Sequence, residues 1–496
     1  MAIFYVDTAS AGGNGTTQEL SGANAAFATV AAAQAAVTGD KSDSSLLFKR
    51  GCTWREEFTL NVYGTSGHPF TIGAYGAGDL PKFYGSTQVS TWSDETGNVW
   101  SAACAADPVS VWFVLPTGAI IWGHEVANKA ACVAEYDWAW VDADDKLYVY
   151  AASDPDSRYT SVEKPTRYTC IYGNAKSYVT VQYLDTAFCW LTADARSIFF
   201  YGGDGCIVEY CKAHHNGDLG DGSDSMGNGI LVYNNDGCII RHNETFENGR
   251  RGIAAFTNNS ATMNDAVIEH NESYNNYHAQ IDHFLGSGEM DNMITRFNLC
   301  YLNADYGAHG QGASNTHGIY FQSDNAGIDI TAPKIHYNVV HHMNQDSLIA
   351  LTKRVINAEI FNNTVYGAFT GSTWSPGIDL RAATVTATIK NNIGMDCVAG
   401  CLRTVEDDSV LACDNNLWYQ SGGGAAPYVD AEVGDYHFDD FAAYKAATGW
   451  DENGLWEDPK FADAENNDFS LAADSPCINA AADVGLEEDI AGNGIW

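Results

Sequence analysis

The stretch Ile240-Arg-His-Asn-Glu-Thr-Phe-Glu-Asn-Gly-Arg-Arg-Gly-Ile-Ala-Ala-Phe256 holds two phrases that recur along the chain. The first is apolar-x-x-Asn. It returns as Ile268-Glu-His-Asn271, Thr295-Arg-Phe-Asn298, Ile335-His-Tyr-Asn338, Ile360-Phe-Asn-Asn363, Ile389-Lys-Asn-Asn392 and Ala412-Cys-Asp-Asn-Asn416. An earlier copy, Val208-Glu-Tyr-Cys211, has Cys in the Asn place. From Cys211 to Asn416 the intervals run 32, 28, 27, 40, 25, 29 and 24 residues. An irregular period of this length with strand-like alternation fits the coils of a β-solenoid, the excess being loop. A side-chain amide at the same bend of every coil can bond the backbone there and its own copies above and below.

The second phrase is a strand that often opens Gly-Ile: Gly229-Ile-Leu-Val-Tyr233, Gly252-Ile-Ala-Ala-Phe256, Gln280-Ile-Asp-His-Phe284, Gly318-Ile-Tyr-Phe-Gln322, Leu348-Ile-Ala-Leu-Thr352 and Gly377-Ile-Asp-Leu-Arg381. Further turn residues, Asn248, Asn276 and Asn303, stand between the two phrases. Three short strands per coil predict a three-sided helix of parallel sheets. Asn-x-Ser/Thr triplets such as Asn243-Glu-Thr fall inside the ladder and read as structure, not as glycan acceptors.

Composition limits the partners. The 496 residues carry 25 Lys+Arg against 63 Asp+Glu, a formal charge of −38. This disfavours nucleic acid and a basic membrane-surface role. A chain with 12% aromatic residues is no disordered polyelectrolyte. No run of about 18 apolar residues is present, and the start, Met1-Ala-Ile-Phe-Tyr-Val-Asp7, lacks the pattern of a signal peptide. The expected setting is extracellular or virion-associated. Thirteen cysteines leave at least one thiol unpaired, with no zinc spacing among them. Cys206 and Cys238 repeat in the phrase Asp-Gly-Cys-Ile and read as stacked buried thiols; Cys397 with Cys401, or Cys104 with Cys132, are possible disulfides.

On these repeats the chain resembles the right-handed parallel β-helix (pectin-lyase-like) superfamily. Its ends strengthen the resemblance. Phe4-Tyr-Val-Asp7 with Ala26-Phe-Ala-Thr-Val-Ala-Ala-Ala-Gln-Ala-Ala36 is similar to an opening cap. Leu46-Leu-Phe-Lys-Arg-Gly-Cys-Thr-Trp-Arg55 is similar to a first coil, and Phe469-Ser-Leu-Ala-Ala-Asp-Ser-Pro-Cys-Ile-Asn479 to a closing segment. The resemblance implies an all-β fold, with a cap and first coils over 1–89, central coils over 169–425 and a C-terminal cap over 426–496; residues 90–168 break the repeat and read as a Trp-rich β insertion packed on the early coils. The insertion holds Trp92, Trp100, Trp112, Trp122, Trp138 and Trp140, as buried packing or as sugar-stacking platforms. The superfamily includes lyases, hydrolases, epimerases and phage tailspikes, so the fold does not fix the reaction.

With each Gly-Ile isoleucine pointing inward, alternation turns its neighbours out. Tyr233, Phe256 and Phe284 then form an aromatic column, followed by Asp282, Tyr320, Gln322, Asp324, Thr352, Arg354, Asp379 and Arg381. A polysaccharide laid along this strip would meet stacking platforms first and ionic groups after. Eleven of fourteen histidines lie in residues 214–342; His283, His309 and His317 fall on or beside the strip. Long loops at 214–228 and 303–317 would wall it. Asp218, Asp221 and Asp224 suit either a Ca²⁺ loop with oxygen ligands or a solvated acidic turn.

Two chemistries compete. β-Elimination on a uronic-acid polymer needs a cation to neutralise the carboxylate, a base and an acid. Arg354, Arg381 or Ca²⁺ would neutralise, and Tyr320 with His317 or His283 would move protons. Arg250, Arg251, Lys353 and Arg354 form a local basic group that favours an anionic polysaccharide. Glycoside hydrolysis would use two carboxylates, with Asp282 and Asp324 on neighbouring coils. The short signatures of known epimerases and lyases are absent, and the paired-Asp and Gly-His-Gly signatures of polygalacturonase-like hydrolases are not matched cleanly. The remaining alternatives are a C5-epimerase and a non-catalytic glycan-binding tailspike, which would be a trimer. The favoured expectation is a polysaccharide lyase, with Gln322, Arg251 and His309 helping to bind substrate, no organic cofactor and no nucleic-acid or membrane partner.

Overall fold

The computed structural model describes residues 1–190, 195–219, 227–306, 315–324, 327–368, 371–405, 409–422, 429–431 and 436–486. Three long parallel sheets wrap one core. Each coil contributes one strand to each. In the coil of Asn243, Ile239–Arg241 lies in the back sheet, Glu244–Phe246 in the side sheet and Arg251–Thr257 in the front sheet. Among the described residues the back and front sheets each have twelve strands and the side sheet eleven. The expected β-helix is what the chain forms.

The register explains why the two phrases recur. Ile230, Ile253, Ile281, Ile319, Ile349 and Ile378 are directly paired neighbours in the front sheet, and all are fully buried. In the back sheet Ile240 pairs with Ile268, and Ile335, Ile360 and Ile389 pair in turn, with buried Thr295 between the two runs. Each such isoleucine removes apolar surface worth about 1.5–3 kcal/mol.

At the bend after each back strand one residue adopts the left-handed conformation, with φ of 54° at His242, 54° at His270, 56° at Phe297, 55° at Tyr337 and 57° at Asn362. That conformation costs a side-chain-bearing residue about 1–2 kcal/mol. The next residue, the ladder Asn, offsets it. Asn243 Nδ2 donates to Asn271 Oδ1 at 3.0 Å, and the same oxygen accepts the Asn243 backbone N–H at 3.0 Å. The pattern repeats without a break through Asn298, Asn338, Asn363, Asn392 and Asn416. Cys211 ends it below by donating its N–H to Asn243. Above, Asp451 accepts from Asn416, Trp418 and Tyr444. A second ladder, Asn216–Asn248–Asn276, closes on Gln280 at the bend between side and front sheets. Asn303 lies one place off it, paired with Asn275.

The helix Val30–Ala36 is capped by Thr29 and buries Val30 and Ala33 in the first coil. Residues 86–165 leave between the side strand Lys82–Tyr84 and the front strand Thr169–Asn174 and build five-stranded and four-stranded sheets around their own core. All six of their tryptophans are buried or half-buried. Trp112 and Trp122 pack on each other and on Phe188 and His215 of the coils. Packing, not an exposed platform, is their role in the fold. All thirteen cysteines are unbonded, and Cys206 and Cys238 are both buried, as expected of stacked thiols; Cys397 with Cys401 and Cys104 with Cys132 form no disulfide. Among the described residues no helix is long and apolar enough to cross a membrane.

Candidate active site

The outer face of the front sheet changes character along its length. Its lower coils carry Phe199, Leu231, Ala254 and Phe256, all buried, with Tyr172, Tyr201, Tyr233 and Phe284 against them. Arg251 crosses this cluster with its guanidinium 4.7 Å from the Phe256 ring. Above it the register places Asp282, Tyr320, Ala350, Asp379 and Arg403 side by side on successive coils. The apolar column thus gives way to ionisable groups within one coil.

Asp282 is 1% exposed and ion-paired with Arg251, itself 7% exposed. Burial raises the Asp282 carboxyl above the ordinary carboxylate range, against the pull of Arg251. Its Oδ1 has no hydrogen-bond partner among the described residues. Tyr320 donates to Gln322 Oε1 at 2.5 Å and accepts from Thr352 Oγ1 at 3.3 Å. Burial raises its phenol above its usual value, so it holds its proton at neutral pH. The ring of His317 lies flat on Tyr320, with centroids 4.0 Å apart and an interplanar angle of 5°. His317 Nε2 meets Asp346 Oδ2 at 3.0 Å, which assigns the proton to Nε2 and leaves Nδ1 as an acceptor; that Nδ1 has no partner among the described residues. Burial, with Arg381 nearby, keeps the imidazole neutral. His278 stands edge-on to both rings, at 5.8 Å from His317 and 6.1 Å from Tyr320. Burial holds it neutral too, aided by Arg251.

Arg381 closes the group. It is ion-paired with Asp346, donates to Asp379 Oδ2 at 2.6 Å and reaches Ser347 Oγ at 2.6 Å. Arg403 holds the other oxygen of Asp379 at 3.0 Å. Three guanidinium groups therefore balance the three carboxylates of Asp282, Asp346 and Asp379.

The structure brings together Asp282, Tyr320, His317, Gln322, Arg251 and Arg381, with Tyr233, Phe256 and Phe284 beside them. Three expected residues stand elsewhere. His283 is not on the strip: it follows Asp282 in an extended strand, so its side chain enters the core, fully buried, flat on Phe321 and 2.8 Å from Thr295 Oγ1. Burial pushes its pKa down to about 3. Arg354 leaves the front sheet because the strand ends at Thr352 and Lys353 turns left-handed (φ 56°); it pairs with Asp329 at 2.7 Å. Asp324 is a rim residue, ion-paired with Lys353 and accepting from Gln322 at 2.7 Å. His309, Asp221 and Asp224 lie outside the described residues. Asp218 lies where the insertion meets the coils, next to Gly217, whose carbonyl accepts from Ser110 Oγ at 3.1 Å. Among the described residues no three His, Cys, Asp or Glu side chains gather as a metal site.

Asp346, Ser347, His278 and Arg403 escaped the sequence reading. A positional signal existed: His278, His317, Asp346 and Ser347 stand two or three places before the inward isoleucine of their strand, where the chain enters the front sheet.

No family model and no curated sequence matches the chain. Solved structures do. The pectate lyase Pel9A covers 99% of this chain with 94% of its own, at TM-score 0.53 and 12% identity. XylC in complex with xylose covers 92% with 87% of its own, at TM-score 0.53 and 12% identity. A glycoside hydrolase covers 87% with 95% of its own, at TM-score 0.52 and 9% identity. The fold is the right-handed parallel β-helix. At such identities the likeness is one of fold, and function has to be argued from the site.

Proposed function

We propose that the protein is a carbohydrate-active enzyme, extracellular or virion-borne, that cleaves a polysaccharide lying along the front sheet, by β-elimination at a uronic-acid residue centred on Tyr320. The observation that carries this reading is the Asp346–His317–Tyr320 arrangement. A neutral imidazole with an open Nδ1 suits a base that removes the ring proton beside the uronate carboxylate. A phenol that keeps its proton suits the acid that protonates the leaving glycosidic oxygen. Arg251 and Arg381 border the same space and would stabilise the charge that develops on the carboxylate. The aromatic column from Tyr233 to Phe284 suits the sugars on one side of the cut. The three carboxylates each face a guanidinium, which leaves none free as an ordinary nucleophile or general base.

One observation favours a second reading. The raised pKa and unpartnered Oδ1 of Asp282 fit a protonated general acid of a glycoside hydrolase, with Asp346 as the opposing carboxylate. The balanced charge of the site would suit a neutral glycan.

Incubation with polygalacturonate, alginate and xylan separates the two. Elimination yields one unsaturated sugar per cut, seen as ultraviolet absorbance rising in step with reducing ends. Reducing ends without that absorbance would overturn the lyase reading and support the hydrolase; no cleavage of any glycan would overturn both.

A further inference from the structure

We propose that Trp374 is a sugar-stacking platform, a distal subsite of the groove that takes the apolar face of a pyranose ring of the bound polysaccharide. The assignment rests on the glycan-cleaving reading above, not on the choice between elimination and hydrolysis.

Among the tryptophans of the described residues, Trp374 alone is substantially exposed, at 38%. Its setting is built, not incidental. The guanidinium of Arg403 lies 5.1 Å from the ring centroid, and the same guanidinium is held by Asp379 on the outer face of the front sheet. The indole therefore rests on a fixed cation, while the residue keeps 38% of its surface exposed for a ligand. The backbone is fixed as well. Buried Ser375 donates to the Trp374 carbonyl at 2.7 Å and lies 2.8 Å from the Met343 carbonyl, while Ser372 Oγ is 3.1 Å from the same Trp374 oxygen. A ring held in this way loses little freedom on binding, the usual reason a rigid aromatic contributes strongly to affinity. Exposed indole gains by being covered, and the axial C–H groups of a pyranose offer a flat apolar face of matching size.

Its location gives it a place on the substrate. Asp379 is two coils beyond Tyr320, about 10 Å at the strand spacing and about the length of two sugars. Half-buried Phe284 and Tyr233 lie on the opposite side of Tyr320. The strip thus has an aromatic platform at each end of its ionisable centre, and a polymer spanning both would be held across the bond to be cut.

Affinity electrophoresis in gels cast with xylan, polygalacturonate or alginate tests the proposal without relying on cleavage. At least one gel should retard the wild-type protein. Trp374→Ala should weaken that retardation roughly tenfold, the size of one aromatic contact, while Trp374→Phe restores most of it. Tyr320→Phe should be retarded like the wild type, so a failed reaction and a failed platform are told apart. In the wild-type protein, the retarding polysaccharide should also protect Trp374 from oxidation by N-bromosuccinimide, read by peptide mass. Wild-type retardation of Trp374→Ala, equal oxidation with and without polysaccharide, or no retardation of the wild type in any gel would overturn the assignment.

Discussion

Two of the aromatic columns that run up this solenoid, one on the side sheet and one on the front sheet, differ in how the rings meet. On the side sheet His214, Phe246, Tyr274, Tyr301 and His341 stack with centroids 4.6, 5.1, 5.0 and 5.0 Å apart and interplanar angles of 15°, 3°, 10° and 2°. On the front sheet Tyr201, Tyr233, Phe256 and Phe284 meet at 5.9, 5.3 and 5.2 Å with angles of 44°, 85° and 54°. Parallel rings cover one another's faces and show solvent only their edges, so the side column is a ladder between coils, like the asparagines. Tilted rings do not cover one another's faces, and in the front column Tyr233 and Phe284 are only half-buried. The physical cause lies in the neighbours. The side-sheet coils keep a flat ring at the same paired position on every coil, whereas the front column shares its face with residues as different in size as Leu231, Ala254 and Asp282. Where the repeat is kept the surface is structural; where it breaks, the ionisable cluster begins.

Breaking the centre of the front face should have the largest effect. Tyr320→Phe removes the proposed acid and should cut turnover by about 100-fold to 10,000-fold with an unchanged melting midpoint; near-wild-type rates would place the chemistry elsewhere.

The ladders should respond in stability instead. Asn298→Ala leaves Asn271 and Asn338 with buried unpaired groups and should cost about 1–3 kcal/mol in denaturant unfolding, with activity per folded molecule preserved.

The inward face of the front sheet gives a pH test. His283 binds its proton only near pH 3 in the folded state and near pH 6.5 when unfolded. The unfolded state therefore holds more protons between these values, and stability falls as pH drops from about 6.5 towards 3. His283→Gln should make that acid limb shallower by one proton, up to about 1.4 kcal/mol per pH unit. An unaltered slope would mean that His283 titrates normally.

The smallest effects compare the two columns directly. Tyr274→Leu should lose about 0.5–1.5 kcal/mol of stability and leave KM unchanged. Phe256→Leu should raise KM several-fold. If both act on stability alone, ring tilt carries no information about binding.

The sequence by itself determined the coil. Ile240-Arg-His-Asn243 and its copies show it because parallel in-register stacking requires the same side chain at the same bend, and repetition survives in one dimension. It also located the strip, since strand alternation sends Asp282 and Tyr320 outward once the isoleucines point in. Only the tertiary structure decided the constellation. His283 and Asp282 are adjacent in the chain and on opposite sides of the wall. Arg354 leaves the strip because Lys353 turns left-handed. Asp346 and His317 come from different coils, 29 residues apart, and meet at 3.0 Å through a stacking whose loops vary in length. Charge showed the same limit. The total of −38 marks an acidic surface, while the site pairs three carboxylates with Arg251, Arg381 and Arg403, a balance set by which coils are neighbours and not by composition.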